Sequence, residues 1–245
     1  MPVIFGINPL LEDLKSQTGR VNKIIVAHGR GGKILQTVLK LAKQKGVDIE
    51  FREKSYLDTK AGGGLHQGIV GFCEPFTYAS VDDIIANRHP DLKYNLILIL
   101  DCITDPQNLG TLIRTAHCFG ANGVIIPDNR SASVTGTAIK ASAGAANYTS
   151  IATVVNLANT IDYLKNEGFW IYGTDPASGT NLASFDYHGH IGLVMGSEGK
   201  GMRPLIRRKC DFLFSIPTIG KIDSLNVSVA AGIIFYEILR TFGKV

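Results

Sequence analysis

From residue 95 onward the chain alternates short apolar runs with helix-length segments, and this alternation narrows the possible folds more than any other feature. Residues 96–100, 123–126, 169–173, 191–195 and 211–216 read as strands. Residues 109–119, 135–145, 157–166 and 224–241 fit helices between and after them. Strands separated by helices build a largely parallel sheet covered on both faces, so the fold class is α/β. In such a sheet a ligand sits at the carboxyl ends of the strands. The run at 191–195 ends in a loop holding Gly196, Gly199, Gly201 and one carboxylate, Glu198. The run at 211–216 leads through Pro217 to Ser224, Leu225 and Asn226, and small residues (Ser228, Ala230, Ala231, Gly232) open the last helix. The ligand is expected between these two loops.

Residues 1–75 read as a smaller α/β unit. Asn8 is placed to cap a helix carrying Leu10, Leu11 and Leu14. A strand at 23–27 stops at His28-Gly29-Arg30-Gly31-Gly32; Ile34, Leu35, Val38, Leu39 and Ala42 then recur at helical spacing before Gly46. Residues 49–52 and 68–72 are further strands, with Gly62-Gly63-Gly64 as a flexible loop between them. Residues 76–94, with Pro90 and a short helix near Val81, read as a linker to a second domain at 95–245.

Several function classes fall away. No apolar run approaches the roughly 20 residues that span a bilayer. The start, MPVIFGINP, lacks the basic and long apolar parts of a secretion signal, so a cytoplasmic protein is expected. The four cysteines (73, 102, 118, 210) are scattered and the six histidines have no metal-ligand spacing, so no metal is expected. The net charge of +4 fits a polyanionic partner without requiring one. Basic residues gather at Lys200, Arg203, Arg207, Arg208 and Lys209, and again at Arg20, Lys23, Arg30 and Lys33. There is no GxGxxG fingerprint with its acidic partner, no GxxxxGK[ST] and no GxSxG elbow. A nicotinamide dehydrogenase and a serine hydrolase are thereby excluded. Gly29-Arg30-Gly31-Gly32-Lys33 imitates a phosphate loop only weakly and reads as a turn or an RNA-backbone contact. In DCITDPQNLGTLIRTAHCFG, Asp105-Pro106 starts a helix and Gly120 stops it. Leu109, Leu112, Ile113 and Ala116 form its buried face, and Arg114 points away from them. A lone arginine on a helix is ordinarily solvated, but Asn108 in the same strand-end region draws Arg114 toward a site.

Three motifs, DPQNLGTLIRTAHCFGA, LVMGSEGKGM and IPTIGKIDSLNVSVAAGI, together resemble the SpoU/TrmH family of RNA ribose 2′-O-methyltransferases in the SPOUT superfamily, over residues 95–243. The front unit, with FGINPLLEDL and GGGLHQGIVG, is similar to the ribosomal-protein-like RNA-binding domain often fused to that family. With RSAS at 130–133 and KASAGAANY at 140–148, the layout most resembles bacterial 23S ribosomal RNA guanosine 2′-O-methyltransferases.

The resemblance implies a deep trefoil knot in the second domain and S-adenosylmethionine as methyl donor. Its pocket is implied to be built by Thr174, Asp175, Met195, Gly196, Glu198, Gly199, Ile216, Pro217, Ser224, Leu225 and Asn226. Glycines at 196, 199 and 201 are expected to let backbone approach the nucleoside. Arg114, Asn108, Glu198 and Asn226 are the implied catalytic residues, with Ser228 a weaker candidate. The family usually makes the matching arginine the proton acceptor, which is chemically awkward because a guanidinium stays protonated. Arg114 reads better as orienting the hydroxyl and stabilising the developing alkoxide, and Glu198 as fixing the pocket or its arginine. Arg20, Lys23, Arg30, Lys33 and Arg114 are expected to contact RNA. Thr218 stands where many relatives carry methionine, a tolerable change. A homodimer sharing its RNA site is implied. The alternatives are the same reaction on transfer RNA or on a resistance-linked ribosomal site, and an RNA-binding assembly factor without turnover.

Overall fold

The computed structural model describes residues 3–16, 19–220 and 225–244. Among them, two sheets are formed. The first takes β1 (Val3–Phe5), β2 (Val21–Ala27), β3 (Asp48–Arg52) and β4 (Ile69–Cys73) in the order β1-β4-β2-β3, with β2 and β3 parallel and β4 antiparallel to β1 and β2. Its helices are α1 (Ile7–Lys15), α2 (Lys33–Gln44) and α3 (Lys54–Ala61). After α4 (Val81–Ala86) comes a wholly parallel six-stranded sheet in the order β10-β8-β9-β5-β6-β7. Its strands are β5 (Leu96–Asp101), β6 (Gly123–Pro127), β7 (Ser150–Val154), β8 (Phe169–Thr174), β9 (His190–Gly196) and β10 (Phe212–Phe214). The helices are α5 (Pro106–Cys118), α6 (Gly136–Ala141), α7 (Leu157–Asn166), α8 (Pro204–Lys209) and α9 (Val227–Thr241).

The central strand explains the layering. Leu96, Leu98 and Leu100 of β5 point to one face and pack with Leu109, Leu112 and Ile113 of α5 and Ile234, Phe235 and Ile238 of α9. Ile97 and Ile99 point to the other and pack with Ile84 of α4, Ile161 and Leu164 of α7 and Ile206 of α8. A parallel strand buried on both faces reads as an unbroken apolar run, which is how 96–100 was recognisable. Residues 76–94, read as a linker, therefore supply part of this core: Ile84 is fully buried, and the Ala79 N–H donates to the carbonyl of Ile151.

Some boundaries differ from expectation. Helix α1 begins at Ile7 after Gly6, so Asn8 lies inside it rather than capping it. Asp105 caps α5 by accepting from the N–H groups of Gln107 and Asn108, with Pro106 at the first helical position, so that helix starts three residues earlier than read. The helix expected at 135–145 ends at Ala141, because Ala143 and Gly144 adopt positive φ angles of 51° and 92°. Strands β1 and β7 and helices α3 and α8 were not anticipated. Each is short or half-buried, and α8 anchors through one buried residue, Ile206.

The two sheets are joined by close backbone packing. A Cβ on Gly136 of α6 would lie 1.9 Å from the carbonyl oxygen of Val3, and Lys140 donates to the carbonyl of Leu65 at 2.6 Å. Within the second sheet's helical layer, a Cβ on Gly110 of α5 would lie 2.3 Å from the carbonyl oxygen of Ala138 in α6. On an exposed helix Gly→Ala stabilises by about 1 kcal/mol through propensity, but overpacking against backbone costs about 1–3 kcal/mol. Here the clash wins: Gly110→Ala is expected to lower the chemical-denaturation midpoint, and a raised midpoint would show that α5 and α6 do not pack this closely.

Candidate functional site

Strands β8, β9 and β10 are parallel neighbours of one another or of β5, so their carboxyl ends open on one edge of the sheet. A cavity of about 590 Å³ lies there, within the range of roughly 300–1,000 Å³ usual for small-molecule sites. Thr174 and Asp175 line it from the end of β8; Met195, Gly196, Glu198 and Gly199 from β9 and the glycine loop; Ile216 and Leu225 from the loop after β10. Pro217 and Asn226 stand outside the lining, and Ser224 lies outside the described residues. Phe214, Met202, Val227 and Ala230 add apolar wall, while Lys200, Arg207 and Thr218 add polar groups. Arg207 escaped the sequence reading as a pocket residue because it projects from α8, a helix not foreseen.

The glycine loop closes on itself. The N–H of Ser197 donates to the carbonyl of Gly201 at 3.1 Å, and the N–H of Gly201 donates back at 2.8 Å. The reason for its glycines differs from the expected one. A Cβ on Gly196 would sit 2.1 Å from the carbonyl carbon of Gly201 and 2.2 Å from the nitrogen of Met202, so Gly196 makes room for the loop's own return. Gly199 and Gly201 have open space but φ angles of 79° and 64°, which side chains resist.

Just past this loop sits the site's only wholly buried carboxylate among the described residues. Asp101, with no solvent exposure at the end of β5, accepts from the backbone N–H of Arg203 at 2.7 Å and from its guanidinium through Nε and Nη2, both at 2.7 Å. The backbone bond fixes where the glycine loop rejoins α8. Sequence reasoning passed over Asp101; an acidic residue directly after five buried apolar ones was the available signal.

Three of the four residues expected to be catalytic meet. Asn226 Nδ2 donates to Glu198 Oε1 at 2.8 Å and to Asn108 Oδ1 at 3.3 Å. The same Glu198 oxygen accepts from the N–H of Val227 at 3.2 Å, so the carboxylate sits at the N-terminus of α9, where the helix dipole favours negative charge. Asn226 Oδ1 in turn caps α9, accepting from the N–H of Ser228 at 3.0 Å and from its hydroxyl at 2.6 Å. Arg114 does not join them. It is exposed on α5, and its side chain has no hydrogen bond or ion pair with a described residue.

The basic cluster after the glycine loop is largely neutralised: Arg203 pairs with Asp101, Arg207 with Asp175 and Lys209 with Asp162. The front set is also divided. Lys23 is held by Glu50 and Asp48, and Arg20 lies over the Phe76 ring at 4.8 Å; both stand at the start of β2. Arg30 and Lys33 follow its far end. Two thiols flank the site. Burial pushes Cys210 up to about 12, and burial followed by the charge of Asp101 raises Cys102, so both stay protonated and neither offers a thiolate at neutral pH.

Removing one partner of a buried ion pair costs about 3–5 kcal/mol, and Arg203 is partly solvated, which places Asp101→Ala at about 3 kcal/mol in urea unfolding. An unchanged midpoint would show that the pair does not hold the loop.

Comparison with known proteins adds a family. The SpoU rRNA methylase family model matches residues 95–236, and that of RNA 2′-O ribose methyltransferase substrate binding matches residues 3–79. A Bacillus subtilis (strain 168) protein assigned to the TrmH family of tRNA/rRNA methyltransferases is 39% identical, covering 97% of this chain and 94% of its own. A Staphylococcus saprophyticus protein with the same assignment is 40% identical over 90% of this chain and 88% of its own. Among solved structures, the SpoU methyltransferase AviRb from Streptomyces viridochromogenes, in complex with the cofactor AdoMet, aligns with a TM-score of 0.81 at 22% identity, covering 99% of this chain and 91% of that one. An AdoMet-bound rRNA methyltransferase from Sinorhizobium meliloti aligns at 0.76 and 23%, covering 98% and 87%. The second sheet's edge cavity, its glycine loop and these matches converge: the chain belongs to the SpoU rRNA methylase family.

Proposed function

We propose that this protein transfers a methyl group from S-adenosylmethionine to a ribose 2′-hydroxyl of RNA, with a guanosine of 23S ribosomal RNA as target. The observation that carries the reading is the edge cavity lined by Glu198, whose carboxylate Asn226 ties to Asn108 behind the wall. The residues present suit the donor. Met195, Phe214, Ile216, Leu225 and Val227 offer apolar wall to an adenosine, and the tight backbone of the glycine loop offers amide groups to its base edge. The carboxylates of Asp175 and Glu198 suit a ribose and a cationic sulfonium. When bound, the donor would supply an electrophilic methyl carbon for the hydroxyl oxygen, its sulfur leaving as a neutral thioether.

The chain's own contribution is positioning and charge. Holding two reactants in line removes much of the barrier without acid or base chemistry. Asn226 ties the last loop to the glycine loop through Glu198 and to α5 through Asn108, so three loop ends keep one geometry. Arg114, charged and uncommitted, orients the hydroxyl and stabilises the oxyanion that develops as its proton passes to a neighbouring phosphate of the RNA. Arg114→Ala is expected to cut methyl transfer to unmodified 23S ribosomal RNA about 100-fold or more, the scale of one lost oxyanion donor, with donor affinity unchanged. Digestion should place the label on 2′-O-methylguanosine. Label with transfer RNA alone would keep the chemistry and move the target, a second reading favoured by relatives assigned to tRNA/rRNA methyltransferases. No transfer to any RNA despite donor binding would put the assembly-factor reading first.

The proposal includes the rest of the family's plan: a trefoil knot formed by the loops around the cavity, a front RNA-gripping unit at 1–75 joined through 76–94, a cytoplasmic location and a homodimer. Among the described residues no helix is long and apolar enough to cross a membrane. Val229, Ile233 and Tyr236 recur on one face of α9 and are 52%, 39% and 52% exposed, an apolar stripe suited to a second copy. Light scattering at micromolar concentration should give a dimer for the native protein and a monomer for Ile233→Asp. A monomeric native protein would remove the dimer from the reading.

A further inference from the structure

A second cavity, of about 770 Å³, opens in the front unit where β2 and β3 end. His28 and Arg30 wall it from the loop after β2, Lys54 and Asp58 from α3, and His66 and Gln67 from the loop before β4. These walls are preset. His66 is 5% exposed; its Nδ1 accepts from the Gly68 N–H at 3.1 Å, which leaves Nε2 to donate to Asp58 at 2.8 Å. Gln67 holds a positive φ of 55°, and its side-chain oxygen accepts from the N–H of Ile7 at 3.1 Å. Arg30 lies along Gly68 and donates through Nε to the carbonyl of Gln67 at 2.9 Å.

The rim combines two kinds of group that a folded core would not leave outside. Phe51, on the edge strand β3, is 51% exposed, and its ring stacks on His28 with centroids 6.3 Å apart and planes at 27°. Tyr56 is 40% exposed, with the ammonium of Lys60 at 5.5 Å and the guanidinium of Arg52 at 6.0 Å from its ring centre. Arg30, Lys33 and Lys54 have no ion pair with a described residue, unlike Lys23 at the strand's other end. Flat aromatic faces beside unpaired cations are what unpaired nucleotides require: bases stack on the rings and phosphates meet the charges. A duplex buries its bases and has no use for an exposed phenylalanine.

We propose that this cavity and its Phe51–His28 rim hold an unpaired nucleotide of the substrate RNA, with the base on the rings and flanking phosphates on Arg30, Lys33 and Lys54. This rests on the RNA-methyltransferase reading and adds that the front unit selects single-stranded over paired RNA.

The test is binding of the full-length protein to a stem–loop RNA carrying 2-aminopurine in its loop, and to a blunt duplex of equal length. Stacking should quench the 2-aminopurine. Phe51→Ala should weaken stem–loop binding about tenfold, abolish the quench and leave duplex binding and donor affinity unchanged. Lys54→Ala should instead lower the slope of log Kd against log salt by about one while keeping the quench. Unaltered stem–loop affinity in Phe51→Ala, or equal losses on both RNAs, would overturn the proposal. If native protein methylates RNA and the variants bind it normally, this inference alone fails. If native protein binds neither RNA, the RNA reading fails with it.

Discussion

A strand apolar on both sides has to be covered twice. That constraint, imposed by the five residues before Asp101, organises the second sheet. Covering both faces requires helices between successive strands, helices make the strands parallel, and parallel strands end together on one edge. The order β10-β8-β9-β5-β6-β7 reverses direction beside β5, and the cavity lies at the carboxyl ends on that side of the reversal. The site is thus a consequence of the layering before any of its side chains is considered.

Electrostatics then decides which parts of the edge are rigid. Most ion pairs here are exposed, and such pairs contribute about 0–1 kcal/mol each. Asp101 is the exception, because a carboxylate with no solvent must find donors in the protein, and Arg203 supplies three. Asn226 is the other fixed point. One side chain caps α9 through its oxygen and reaches Glu198 and Asn108 through its nitrogen, so helix start, glycine loop and α5 cannot shift independently.

The front unit is not a loosely tethered appendage. Gly136 lets α6 approach the backbone of Val3, and the buried residues of α1, α2, α5 and α9 belong to one continuous core. A nucleotide held at the ends of β2 and β3 would therefore be held by a body packed directly against the helical layer of the second sheet.

Hydrophobic period and loop chemistry were enough to read the α/β class, the parallel sheet and the two loops between which the cavity opens from the chain alone, since these depend on neighbours in sequence; the residues named for its wall came from the family resemblance. Asp105-Pro106 and the runs at 96–100 and 191–195 carry their structure locally. Strands β1 and β7 did not, because short edge strands owe their existence to a partner strand distant in sequence. The pairing of Asp101 with Arg203, the neutralisation of the basic cluster and the meeting of Asn108, Glu198 and Asn226 join residues dozens of positions apart, or more than a hundred. Composition gave the charges, but only the tertiary fold chose their partners, because a charge's energy depends on what lies within a few ångströms and not on its place in the chain.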